Sequence, residues 1–134
     1  MTFLIAYFTV LVVFGIIDAL WLWQMADAFY RPALGDMLVE KVRMIPALIF
    51  YLSFPIGVVV FAVLPAHKDG TALTAFALGA LFGALCYATY DLTNYATLKQ
   101  WSVEITLVDI AYGAVVAGLC ATAAFYALQI FEGK

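Results

Sequence analysis

Four long apolar stretches separated by short polar breaks organise the chain. They run roughly from Phe3 to Gln24, Met44 to Leu64, Ala72 to Asn94 and Ser102 to Gln129. A helix needs about 20 mostly apolar residues to cross the hydrocarbon core of a bilayer. Each stretch meets that length, and together they leave no room for a soluble domain. The pattern predicts an all-α, polytopic integral membrane protein: one transmembrane domain over 1–134, built as an antiparallel bundle of four transmembrane helices. The opening MTFLIAYF has no Lys or Arg before its apolar run and no obvious small-x-small cleavage site after it, so it reads as a retained span.

The breaks and interruptions refine this picture. In RPALGDMLVEKV, Leu34, Met37, Leu38 and Val42 fall on one helical face, with Asp36, Glu40 and Lys41 elsewhere. That pattern fits a short interfacial helix between spans one and two, or an ordinary polar loop. Arg31, Lys41 and Arg43 in the first break and Lys99 in the third outnumber Lys68 and Lys134 on the other side, four against two. Loops one and three are therefore expected in the cytoplasm and both termini outside. Trp21, Trp23 and Trp101 lie on the side of those loops, as interfacial anchors do. Pro46 falls in the first turn of span two, whereas Pro55 is mid-span. There it removes an N–H, kinks the helix and frees the carbonyl of Tyr51. Gly79 and Gly83, in GALFG, and the pairs Gly113/Ala117 and Ala114/Gly118 put small residues at spacing four, which lets helices approach closely inside the bundle.

Composition agrees: 67% of residues are hydrophobic and 11% charged, against about half and about a quarter in soluble domains. Cys86 and Cys120 fall inside spans and read as free, buried thiols. His67 stands alone beside Lys68, so no metal site is expected. No phosphate-binding glycine loop and no basic patch is present, so neither a cofactor nor nucleic acid is expected.

The candidate chemistry lies in three acids. Asp18, Asp91 and Asp109 are the charged residues well inside spans, where a carboxylate costs about 2.5–3.5 kcal/mol on insertion scales. Asp18 precedes the end of span one by about six residues, Asp91 lies a few residues before the end of span three, and Asp109 lies about seven residues into span four. Antiparallel alternation puts all three in one layer, roughly 5–10 Å below the same surface. Tyr51, with its freed carbonyl, is the matching position in span two. Helical spacing adds Tyr87 and Asn94 to the Asp91 face, Thr106, Tyr112, Gly113 and Cys120 to the Asp109 face, and Gly15, Trp21 and Leu22 to the Asp18 face. Such a polar stripe faces the bundle interior. Three acids that meet there cannot all be ionised: a proton is retained, or a cation sits among them. Arg43, which opens span two, could reach inward, with Arg31 and Lys99 as further candidates. Tyr87 is expected to hydrogen-bond in this layer, and Tyr90 and Tyr95 to anchor at the interface.

YDLTNYATLKQW and LVDIAYG, with FYLSFPIG, LPA and IDALWL earlier, resemble one bacterial membrane-protein family, the family of domain of unknown function 2177. The resemblance runs along nearly the whole chain, and the YDLTN-ATL-W block is its most specific part. It implies a small integral membrane protein of a bacterium; taken with the charge bias, the expected setting is the inner membrane with periplasmic termini. It brings no activity, no cofactor and no assigned residue.

Three functions suit these residues. The acidic layer could bind or move a proton, a cation or a cationic small molecule; transport would need a homo-oligomer, because four helices enclose a narrow lumen. The acids could instead only fix helix packing in a structural or accessory protein. Asp with Tyr could also serve as acid and base in an intramembrane enzyme acting on a lipid or isoprenoid, although no span carries His, a catalytic-thiol motif or a DxxxD pair. Membrane lipids are the partners expected in every case.

Overall fold

Residues 1–133, apart from positions 36, 37, 39, 40 and 42 and the side chain of position 69, are described by a computed structural model. Four helices are long and apolar enough to cross a membrane: α1 (Thr2–Leu34), α2 (Met44–Lys68), α3 (Ala72–Thr97) and α4 (Val103–Glu132). No strand occurs among the described residues.

Local chemistry sets the helix ends. Thr71 opens α3 with a capping box, exchanging hydrogen bonds with Thr74, and Ser102 accepts from the Ile105 amide to open α4. Gly133 closes α4 in the left-handed conformation, at φ 70°, which glycine adopts without a Cβ clash. Each of the first two helices contains a π-turn, at Ala26–Tyr30 in α1 and Val59–Val63 in α2. The second begins four residues after Pro55, which cannot donate to the helical ladder.

The first span therefore ends ten residues later than its apolar run, at Leu34 rather than Gln24. The interfacial helix expected over 31–42 is not found as a separate element in its first part. Arg31–Leu34 is helical, but it continues α1 through the π-turn. Positions 36, 37, 39, 40 and 42 of that expectation lie outside the described residues.

On α1, Ala6, Val10, Phe14 and Asp18 form the buried stripe, while Leu4, Phe8, Val12, Ile16 and Leu20 form an exposed one. An apolar outer face around a packed interior suits lipid as the surrounding solvent. The closest helix contact is between α3 and α4. A Cβ on Gly79 would stand 2.7 Å from the Ala117 carbonyl oxygen, and one on Gly83 would run into the Gly113 carbonyl. The GALFG pair thus packs inside the bundle, against α4. At the far end, the Thr2 hydroxyl donates to Glu132 at 2.7 Å and His67 lies 3.5 Å from the same carboxylate, drawing α1, α2 and α4 together.

Candidate functional site

Asp18 ends the buried stripe of α1, so its carboxylate enters the bundle and not lipid. Two phenols meet it there. Tyr112 of α4 donates to Oδ1 at 2.8 Å, and Tyr51 of α2 donates to Oδ2. Three helices are joined on one carboxylate. A charged acceptor desolvated in this way needs such donors.

Asp109 of α4 is half-buried and accepts from the Tyr30 hydroxyl at 2.7 Å. That hydroxyl in turn accepts from the indole Nε1 of Trp21 at 3.2 Å. The Trp21 ring stacks on Tyr112 with centroids 4.2 Å apart. Trp21 therefore connects the two acids: its edge serves the Asp109 side and its face packs on the Asp18 side. Tyr87 of α3 meets Tyr112 edge-on at 6.1 Å.

Asp91 of α3 is fully buried, and neither carboxyl oxygen has a donor among the described residues. Its acidic neighbour is Asp109 of α4. With both acids ionised that contact has no hydrogen. One proton between them turns it into a short, charge-assisted O–H···O⁻ bond.

Between α1, α3 and α4 these groups enclose a cleft of about 440 Å³, lined by Asp18, Trp21, Tyr30, Tyr87, Asp109 and Tyr112. Arg31 also lines it, already paired with Asp27 at 2.6 Å. A second cleft, of about 390 Å³, is lined by Phe50, Cys86, Tyr87, Tyr90 and Asp109. Tyr87 and Asp109 line both. No three His, Cys, Asp or Glu side chains among the described residues stand close enough to hold a metal ion.

The three acids and Tyr51, Tyr87 and Tyr112 thus come to one level of the bundle. Asp91 and Asp109 are neighbours, and Asp18 is reached from them through Tyr30, Trp21 and Tyr112. Tyr51 takes part through its phenol, not through the carbonyl that Pro55 frees. Arg43 is not brought in: it caps the start of α2 and is exposed. Asn94 is half-buried, with no hydrogen bond to an acid among the described contacts. Two of the tryptophans are not outward anchors. Trp21 packs in the interior, and Trp101 is buried with Leu34 and Ile105. Trp23 alone of the three points outward.

Sequence reasoning missed Tyr30 and the inward role of Trp21. The regular helical continuation of the Asp18 face, through Trp21, Leu22 and Met25, reaches Phe29. The π-turn adds a residue to that turn, which rotates the following face by about 100° and carries Tyr30 to Asp109. The Asp18-x-x-Trp21 spacing was the available signal for the indole, since it places both on one face.

The fold and the site together define a multi-pass helical membrane protein with acids and aromatic rings converging inside its bundle. The chain belongs to the family described as "Predicted membrane protein (DUF2177)", whose model matches residues 3–126. Comparison with curated proteins and with solved structures gives no match.

Proposed function

We propose that this protein binds a small organic cation inside the membrane, in the cleft between α1, α3 and α4, with Asp109 as its charge partner. The observation that carries the reading is the make-up of that cleft: the rings of Trp21, Tyr30, Tyr87 and Tyr112 surround two carboxylates, and the neighbouring guanidinium is already paired with Asp27. Aromatic faces attract alkylammonium groups by about 0.5–2 kcal/mol each, and low dielectric strengthens the pairing with a carboxylate. The volume falls in the range of about 300–1,000 Å³ usual for small-molecule sites. An anion would face two carboxylates. A bare divalent cation would want six or more oxygen ligands, which this mostly apolar cleft does not offer.

A structural role is favoured for one acid only. Asp18 is satisfied by two phenols from two other helices, the arrangement expected of a group that fixes packing. Asp109 keeps spare acceptor capacity and lines both clefts.

The distribution of Arg31, Lys41, Arg43 and Lys99 supports insertion in a bacterial inner membrane with the termini in the periplasm. The cleft then lies in the cytoplasmic half of the bilayer.

The test is calorimetric titration of the protein in lipid nanodiscs with tetramethylammonium and choline, against the neutral carbon isostere of choline. The cations are expected to bind and the isostere not, with Asp109→Asn abolishing binding while the protein stays folded. Equal binding of choline and its isostere, or binding of neither cation, overturns the reading.

A further inference from the structure

We propose that Asp91 and Asp109 share one proton, and that this proton and the bound cation compete for the pair, so that cation uptake releases protons into the cleft. The competition rests on the cation reading above; the shared proton does not.

Asp91 sets the argument. It is completely enclosed, it has no donor among the described residues, and its neighbour is a second acid. Two ionised carboxylates held together away from water repel, and both lose hydration. A hydrogen between them removes the repulsion and supplies the missing bond. The titratable groups acting on Asp91 among the described residues are Asp109 from α4, Tyr30 from α1 and Tyr90 from its own helix. None is a cation. From α2, Arg43 is exposed at the helix start, and in the third loop Lys99 is exposed as well. Arg31 of α1 lines the cleft with Asp109 but is paired with Asp27 at 2.6 Å, so among the described residues no cation is bound to either acid, and the proton is the positive charge the pair holds until a ligand arrives.

The cleft reaches only one member of the pair: Asp109 lines it and Asp91 does not. A ligand ammonium beside Asp109 stabilises its charge and weakens its hold on the shared hydrogen. The Asp91 O–H bond then breaks with its electron pair staying on that carboxylate, the proton crosses to Asp109, and Asp109, which lines the cleft, passes it to water there. The cation contacts Asp109 alone while the proton is shared by both acids, so by linkage each weakens the other's binding equally. Affinity for the cation must rise with pH while the pair is losing its proton, by up to about tenfold per pH unit when a whole proton is exchanged.

Two measurements test this. Infrared spectroscopy of the unliganded protein is expected to show the C=O stretch of a protonated carboxyl, lost in Asp91→Asn and moved in frequency in Asp109→Asn, where the sealed acid keeps its hydrogen and loses its carboxylate partner. Its absence from the wild type overturns the shared proton. Tetramethylammonium chloride, which carries no proton of its own, is then added in weak buffer with a pH dye. The wild type is expected to release up to one proton per cation and to bind more tightly as pH rises. Asp91→Asn, whose amide can donate to Asp109 in place of the acid, is expected to bind with pH-independent affinity and release none. Binding that ignores pH in the wild type, or release unchanged in Asp91→Asn, overturns the competition. A carboxyl band without any cation binding sinks the cation reading and the competition together, and leaves the shared proton standing.

Discussion

Removing the two phenols from Asp18 one at a time, and then together, tests whether that acid holds the bundle together. Tyr112→Phe deletes the 2.8 Å hydrogen bond to Oδ1 but keeps a ring to stack on Trp21. Tyr51→Phe deletes the bond to Oδ2 and keeps the packing against Phe14, whose ring centroid is 5.5 Å away. After either change Asp18 retains one donor. Interhelical hydrogen bonds in membranes average about 0.6 kcal/mol and reach about 1.7. A charged acceptor places these two in the upper half of that range, so each single change should cost about 1 kcal/mol. The double change strips a buried carboxylate of both donors, and an uncompensated buried charge costs about 3–5 kcal/mol.

The double variant should therefore lose more than the two single losses added together, by at least about 1 kcal/mol. Reversible unfolding in mixed micelles, read by near-UV circular dichroism as the denaturing detergent fraction rises, supplies all four stabilities. The same cycle on an Asp18→Asn background removes the charge, and the excess should vanish with it. Additivity within about 0.5 kcal/mol on the wild-type background, the limit for independent sites, would refute the view that both phenols serve one buried charge.

Gly83→Leu should lower stability by about 1–3 kcal/mol in that assay, because the new side chain drives into the backbone carbonyl of Gly113, which cannot swing aside. Gly15→Ala is the control: its Cβ would meet nothing within 4 Å, and it should be neutral or stabilising by up to about 1 kcal/mol. Trp21→Phe keeps a ring on Tyr112 and loses the indole N–H, so it should cost about 1 kcal/mol or less and free the Tyr30 hydroxyl, read as a changed tyrosine signal in ultraviolet resonance Raman. A small thiol reagent should label the folded protein once per chain. Cys86 lines a cleft and is half-buried, whereas Cys120 is buried; mass spectrometry of the labelled peptides decides.

The spans were legible because lipid imposes a single strong rule, about 20 apolar residues in a row. The inward course of the acids was legible for a related reason. Asp18 shares its helical face with Ala6, Val10 and Phe14, and the large aliphatics occupy the opposite stripe. What a periodicity of 3.6 cannot show is a change of period. The π-turn at Ala26–Tyr30 carries α1 past its apolar run and selects Tyr30 over Phe29 as the partner of Asp109. Nor does residue type show which end of a side chain is used. Tyr51 looked useful for its freed carbonyl and serves through its phenol. Trp21 had the position of an interfacial anchor, yet its face and edge are both spent inside the bundle.

The three acids differ most in how many donors each one meets, and that difference orders their roles. Asp18 has two phenols, Asp109 has one, and Asp91 has none among the described residues. Full satisfaction suits an acid that joins helices, since a ligand drawn to it would have to break bonds already made. Partial satisfaction suits an acid that receives a ligand: Tyr30 orients the Asp109 carboxylate and leaves part of it free to face the cleft. In the unliganded protein an acid with no donor in a sealed position needs a hydrogen of its own, and its acidic neighbour among the described residues is the carboxylate a ligand would reach. Asp91 is therefore placed to sense occupancy at Asp109 without touching the ligand. Exchanging the two substitutions should show this division directly: Asp109→Asn removes affinity, whereas Asp91→Asn keeps it and removes its dependence on pH.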